Sequence, residues 1–385
     1  MKCIHCGSDT KYPDRQKNGG RCTSCQHLFA FEPKTDTRSV SDPLFERIIK
    51  DVSANNTLSY TEGQLWYEFN RRLLVKATYL PRAFGWGAGA SFVGGAIGAV
   101  VLHAGLLMAL GIAGAIGLAA IGTQVGKRQP RTRYVVMSLD DFRSKYLNLW
   151  RTVHGEPVGL LAPEPLGTSR SATPSRSSSP GFDLGNAPPD LTAYSFDRAL
   201  VCESADVAAM LIANRFHFEN NCAILSADRR FPERARFDAI VSMLARNPNL
   251  FVFVLHDASP GGVALSARLR QPDWFPDAQT AHLVDLGLHP RNVTGTNLPV
   301  LQASPTTLSP EARAGLSSEE VAWLESGNIG QVEALRPARI MRAIYQGFSR
   351  STEVGPDGAI IFVDSGPSVW VYDSGVDVVA SDSFG

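Results

Sequence analysis

Two Cys-x-x-Cys pairs, Cys3/Cys6 and Cys22/Cys25, stand fifteen residues apart at the N-terminus. Thiolates at this spacing are the donor set of a four-cysteine metal site, because each pair can sit on one tight turn and deliver both sulfurs to the same ion. Gly7, Gly19 and Gly20 supply the turns such knuckles need. Four sulfurs close a tetrahedral shell around Zn2+ and leave no position for water or substrate, so the implied role is structural or recognitional. So short a run has little core of its own, and metal binding worth on the order of 10–16 kcal/mol would fold it. Two disulfides or a redox pair are the rival readings, and a cytoplasmic location disfavours the first. His5 and His27 are near enough in sequence to replace a cysteine.

A second group of reactive side chains falls where short apolar runs end. Glu203 follows Ala199–Cys202, Asp228 lies just past Cys222–Leu225, and His256-Asp257-Ala258-Ser259 follows Leu250–Leu255. Ligands gather at such carboxyl ends in parallel α/β sheets. The plainer reading of Glu203 and Asp257 is that they cap the helices that follow. His256 reads as a base or a hydrogen-bond partner of Asp257, and Cys202 and Cys222 as buried thiols.

The elements that must position these groups alternate in texture. The three apolar runs and a fourth, His282–Leu286, are separated by helical periods at Ser204–Phe216, Phe237–Ala245 and Gly261–Leu269. That order predicts a parallel α/β sheet. Upstream, Pro43–Val52 and Glu62–Leu74 predict two helices over residues 42–80, the second capped by Thr61 and with Leu65, Trp66, Phe69 and Leu73 on one face. That face is a packing surface; docking of Trp66, Tyr67 and Phe69 at a membrane interface, or a small DNA-binding unit using Arg71 and Arg72, are the alternatives. Residues 160–190, rich in Ser, Pro, Gly and Thr, read as a flexible linker, and residues 358–385 as short strands joined by Asp-Ser-Gly turns.

Residues 1–31 resemble the zinc ribbons found at the ends of nucleic-acid-handling proteins, which touch nucleic acid or protein. Residues 192–348 resemble a Toprim domain, the metal-binding α/β module of primases, topoisomerases and several nucleases. Its first signature, a strand ending in Glu before a helix, is matched by Val201-Cys202-Glu203-Ser204-Ala205-Asp206. Its second, a strand ending in Asp-x-Asp, is met by Asp257-Ala258-Ser259-Pro260-Gly261-Gly262, with Ser259 in place of the second acid. The layout that follows, Leu286-Gly287-Leu288-His289-Pro290, then Ser317–Glu320 and Glu333–Leu335, resembles the Toprim-like subunit of bacterial plasmid-defence condensin systems and, more distantly, topoisomerase A subunits. The resemblance implies that Glu203 and Asp257, with Asp206 or Asp228 in the missing place, would hold one or two Mg2+ ions against a phosphodiester. Serine is a far poorer ligand than a carboxylate for a hard cation. The implied domain is therefore degenerate, used for binding. Tyr194 and Tyr345 have no supporting pattern as strand-passage nucleophiles, so an active relative would be a metal-dependent nuclease.

The chain of 385 residues carries 37 basic and 37 acidic side chains, and this balance excludes a strongly basic nucleic-acid binder over the whole length. No cleavable signal peptide is visible in the polar N-terminus. Residues 84–125 contain no Asp, Glu, Lys or Arg, enough length for two crossings at roughly 20 residues each, with a turn near His103–Gly105. Arg71, Arg72, Lys76 and Arg82 precede the run, and Lys127, Arg128, Arg131 and Arg133 follow it, which predicts both flanks on the cytoplasmic side. The alternative is a Gly/Ala-rich helix pair in a soluble core. Glycines four apart, such as Gly85/Gly89 and Gly94/Gly98, suit close helix packing within the hairpin or between copies, hence a homo-oligomer.

The expected fold class is α/β, with an N-terminal zinc ribbon, a transmembrane helical hairpin and a C-terminal Toprim-like parallel domain. The expected location is multi-pass in a bacterial inner membrane, both termini cytoplasmic, with the lipid bilayer, nucleic acid or a protein as partners. The expected function is a membrane-anchored binding or scaffold component of a nucleic-acid-related or defence system, holding structural Zn2+. The alternative is a tethered Toprim nuclease using Mg2+.

Overall fold

The computed structural model describes residues 1–76, 132–162, 198–228, 241, 251–270, 282–294 and 296–350. Strands β2 (Arg198–Cys202), β3 (Cys222–Ser226), β4 (Phe251–Leu255) and β5 (His282–Asp285) form one sheet in the order β3-β2-β4-β5, every pair parallel. Their unbroken apolar runs suit a sheet covered on both faces. Side-chain alternation then sorts each strand between two clusters. Leu200, Cys202, Ile224, Phe253 and Leu255 enter the main core, while Ala199, Val201, Ala223, Leu225, Val252 and Val254 pack with Leu265 and Leu269 on the opposite face. The order reverses direction between β2 and β4. That makes their carboxyl ends a topological switch point, where Glu203 and Asp257 stand.

The same main core takes in the N-terminal helices α2 (Asp42–Val52) and α3 (Glu62–Lys76). Phe31, Phe45, Phe69, Phe142, Tyr146 and Trp150 interlock there, with ring centroids from 4.8 to 6.3 Å apart. Helix α3 starts with a reciprocal cap: the Gln64 amide donates to the Thr61 hydroxyl at 3.1 Å, and the Thr61 amide to the Gln64 side chain at 2.9 Å. A small second sheet pairs β1 (Arg133–Tyr134) with β6 (Pro299–Gln302) in parallel and β6 with β7 (Asn328–Ile329) antiparallel. The helix Pro337–Arg350 closes the core with Ile340, Ile344 and Phe348 at four-residue spacing, Phe348 lying 4.4 Å from Phe253.

Two contacts tie distant segments together. Glu68, buried on α3, faces Arg71, Arg72 and Arg336 at 2.5, 3.5 and 2.9 Å. Asn70 accepts the amides of Val136 and Met137 at 2.9 and 3.0 Å, and the Trp66 indole donates to the Met137 carbonyl at 2.9 Å.

The membrane expectation is corrected by this structure. Among the described residues no helix is long and apolar enough to cross a membrane. Helix α3, fifteen residues long, rises only about 22 Å against a hydrocarbon core of about 30 Å. It also carries Glu62, Glu68, Arg71 and Arg72. The multi-pass inner-membrane location and the hairpin component of the fold class are therefore withdrawn, and residues 84–125 lie outside the described residues. Trp66, Tyr67 and Phe69 are buried in protein and so do not form an interfacial anchor. Most of the linker 160–190, the helical period at Phe237–Ala245 apart from Val241, Tyr194 and the strands expected over 358–385 also fall outside the described residues.

Candidate functional site

The four N-terminal cysteines converge. Their sulfurs all lie within 4.8 Å of one another, with Cys3 Sγ to Cys25 Sγ at 3.7 Å and Cys6 Sγ to Cys22 Sγ at 3.6 Å. A tetrahedral ion with metal–sulfur bonds of about 2.3 Å requires sulfur–sulfur edges of about 3.8 Å, whereas a disulfide requires about 2.05 Å. The spacing is that of four ligands around one metal, and all four thiols are free.

Two matching turns create it. The Gly7 amide donates to the Cys3 carbonyl at 2.8 Å and the Cys3 amide to the Ser8 carbonyl at 2.9 Å. Nineteen residues on, Gln26 donates to Cys22 at 3.0 Å and Cys22 to His27 at 2.8 Å. Gly7 and Gln26 occupy the same left-handed position, with φ of 74° and 62°. The sequence hides this repeat because glycine, suited to positive φ, is present in only one copy.

The Ser8 hydroxyl lies 3.1 Å from both Cys6 and Cys22; it is the main influence lowering Cys6 and pushing Cys22 down to about 5. At Cys25 the His27 amide acts to lower the thiol, but burial and its sulfur neighbours push it up to about 12. Sulfurs this close cannot all become thiolates without a cation among them.

A polar chain docks this module on the core. Rings of His5, His27 and His154 stack at 5.0 and 5.1 Å. Burial, then the neighbouring imidazoles, push His27 below its ordinary range. Its Nε2 lies 3.2 Å from His154 Nδ1, and His154 Nε2 donates at 2.7 Å to Asp42, which is fully buried and also accepts the amides of Ala30 and Phe31.

At the switch point the structure brings Glu203 and Asp257 together through the backbone. Glu203 accepts the Asp257 amide at 2.8 Å and lies 3.4 Å from the Ser259 hydroxyl. Asp257 accepts the Val332 amide at 2.7 Å. Ser259 caps the helix Pro260–Val263 by accepting the Gly262 amide at 2.9 Å. A side chain at Gly262 would place its Cβ 2.2 Å from the Asp257 carbonyl and 2.6 Å from Glu203, so only glycine admits this approach. Burial, and then the charge of Glu203, push the Asp257 carboxyl up to about 8.

Asp206 is exposed on the first turn of the helix Ala205–Ala213, and Asp228 is exposed beyond β3, accepting the Ser226 hydroxyl at 2.6 Å. Among the described residues, no three of Glu203, Asp257, Asp206 and Asp228 bring ligand atoms within 4.8 Å of one another. Tyr345 is exposed, away from the core. A surface concavity lies at the N-terminal module, lined by Lys2, Tyr12, Arg15, Lys34 and Pro43 among others.

Sequence reading passed over Glu333, quoted only as part of the layout. Its carboxylate accepts the Thr61 hydroxyl at 2.7 Å and packs on Gly63 at the start of α3. Burial pushes Glu333 from its ordinary 4.5 up to about 7, Thr61 opposing the rise and Asp206 adding to it. Between those two values the unfolded chain loses a proton that the folded chain keeps, so stability is full below the window and falls as pH rises through it. We expect Glu333→Gln to remove that fall, gaining about 2–3 kcal/mol on the wild type from pH 4.5 to 7.5. Urea unfolding at both pH values measures it, and equal pH slopes for the two proteins would contradict the assignment.

The sequence reading also missed a grouping of His256 with Asp285 and His289, whose ligand atoms lie within 4.8 Å of one another. The spacing Asp285-x-x-x-His289 was its only local signal.

No family model matches the chain, and no curated protein or solved structure matches it.

Proposed function

We propose that this chain is a binding protein, with a zinc-holding ribbon and a degenerate Toprim-like α/β domain that together recognise a partner in a nucleic-acid-related or defence system. One observation supports it most: the positions that would hold Mg2+ are engaged internally. Glu203 orders the loop at Asp257 and Ser259, Asp257 holds the Val332 amide, and Ser259 caps a helix. The resemblance to Toprim rests on the two quoted motifs and the layout that follows them, and the ribbon on the geometry of its four sulfurs.

The runner-up is a metal-dependent nuclease, favoured by Glu333, whose charge contributes to raising Asp257. Cleavage of DNA and RNA by the full chain in Mg2+ or Mn2+, with Glu203→Ala and Asp257→Ala as controls, separates the two. The full chain is needed because Thr61, Tyr67 and Glu68 bond directly to the 331–336 segment. We expect no cleavage. Metal-dependent cleavage abolished by both substitutions would replace this reading with the enzyme. Binding to DNA that weakens steeply with salt would support its nucleic-acid form.

A further inference from the structure

We propose that His256, Asp285 and His289 form a second metal site, for a divalent transition ion of the Zn2+ class, at the carboxyl ends of β4 and β5. Three elements converge on it. His256 follows β4, Asp285 ends β5, and His289 precedes the helix Pro290–Val293. His256 Nε2 lies 3.1 Å from Asp285 Oδ1 and 3.3 Å from Oδ2, and His289 Nε2 lies 3.5 Å from Oδ2. Bonds of about 2.0–2.1 Å in tetrahedral geometry require ligand–ligand edges of about 3.3–3.4 Å. The rings stand edge to face at 84°, so the two Nε2 atoms approach one carboxylate from different directions.

Hydrogen-bond accounting narrows what lies between them. His256 Nδ1 is 2.8 Å from the Asp257 carbonyl, which can only accept, so Nδ1 carries the hydrogen. In the neutral ring Nε2 then presents a lone pair to the Asp285 carboxylate, an arrangement that is repulsive without a cation. A second proton would meet the need by forming a fully buried imidazolium. A divalent ion meets it for His256 and His289 at once, and a ligating histidine held by a backbone carbonyl through its other nitrogen is the usual support for such an ion. The Gly287 amide holds Asp285 Oδ1 at 2.7 Å in the same supporting role.

Two imidazoles and one carboxylate select Zn2+ and its neighbours over Mg2+. Unlike the closed cysteine site, three ligands leave an open position. Asp285 is 36% exposed and His289 16%, which opens that position to solvent. The inference does not depend on the binding reading above.

The test is Co2+ titration of the metal-stripped full chain, followed by absorption. Thiolate ligands give intense sulfur-to-cobalt charge transfer, whereas imidazole and carboxylate give only weak ligand-field bands. Wild type should take two equivalents. Cys22→Ser should keep one equivalent lacking charge transfer, so that the weak ligand-field bands of the second site are read alone with no change at the histidines. His289→Ala and Asp285→Asn should each weaken that equivalent by more than about 100-fold while keeping the charge-transfer band of the cysteine site, and a wild-type-like cooperative urea transition reports that the α/β domain is folded. One equivalent in wild type, none in Cys22→Ser, or an unchanged second equivalent in both ligand variants would overturn the site.

Discussion

Replacing Cys22 by serine is expected to release the metal of the cysteine cluster and unfold the chain from Met1 to about His27, while the rest stays folded. Cys22 Sγ sits opposite Cys6 at 3.6 Å and takes the Ser8 hydroxyl, so its loss breaks both the ligand shell and the contact between the two turns. Few apolar side chains are buried in this module, Cys3 and Cys22 themselves being the main ones. The metal's contribution, on the order of 10–16 kcal/mol, therefore has no substitute there. Unfolding should stop near Ala30, because Asp42 still accepts the amides of Ala30 and Phe31 from within the aromatic core. Metal content and amide exchange report both halves. A full metal complement in Cys22→Ser, or exchange that spreads evenly into α2, would refute the expectation. Chelation of the wild type should reproduce the effect and metal return should reverse it.

The second large effect is Glu68→Ala, expected to cost about 3–5 kcal/mol. Glu68 is 2% exposed and faces three guanidinium groups, one from a segment 268 residues away. Burial acts to raise its carboxyl, but Arg71, then Arg336 and Arg72, outweigh it and hold the group below its ordinary range. Its stabilisation is thus present above the unfolded value and lost as pH falls, the opposite sign to Glu333. Truncation strands positive charge around a void between α3 and the Arg336 segment that precedes the helix Pro337–Arg350. The exposed pair Lys50–Glu46 is the control, since Glu46→Ala should stay within about 0.5 kcal/mol. Equal urea midpoints for the two variants would defeat the argument.

What the sequence disclosed follows from the range of the forces involved. The cysteine pairs were legible because both members of each pair sit on one turn, and the strands because burial on two faces demands apolar runs such as Phe251–Leu255. Thr61 announced its cap because Gln64 is three residues away. The strand order β3-β2-β4-β5 was not legible, since packing between distant segments decides it. For the same reason Glu333 gave no sign, Thr61 arriving from another element, and Asp285 offered only its spacing to His289 while His256 comes from the end of another strand. Ser259 was read as a lost ligand; the structure gives the residue its own task at a helix start. The apolar run 84–125 invited a membrane reading that no described helix supports.

Asn70 carries a last consequence. It lies within two turns of the end of α3 and holds Val136 and Met137, just past the point where the described chain resumes. Departure and return are thus pinned to the same spot on the body. In engineering terms one side chain serves as a single clip for both, fastening the end of α3 to the segment that begins at residue 132.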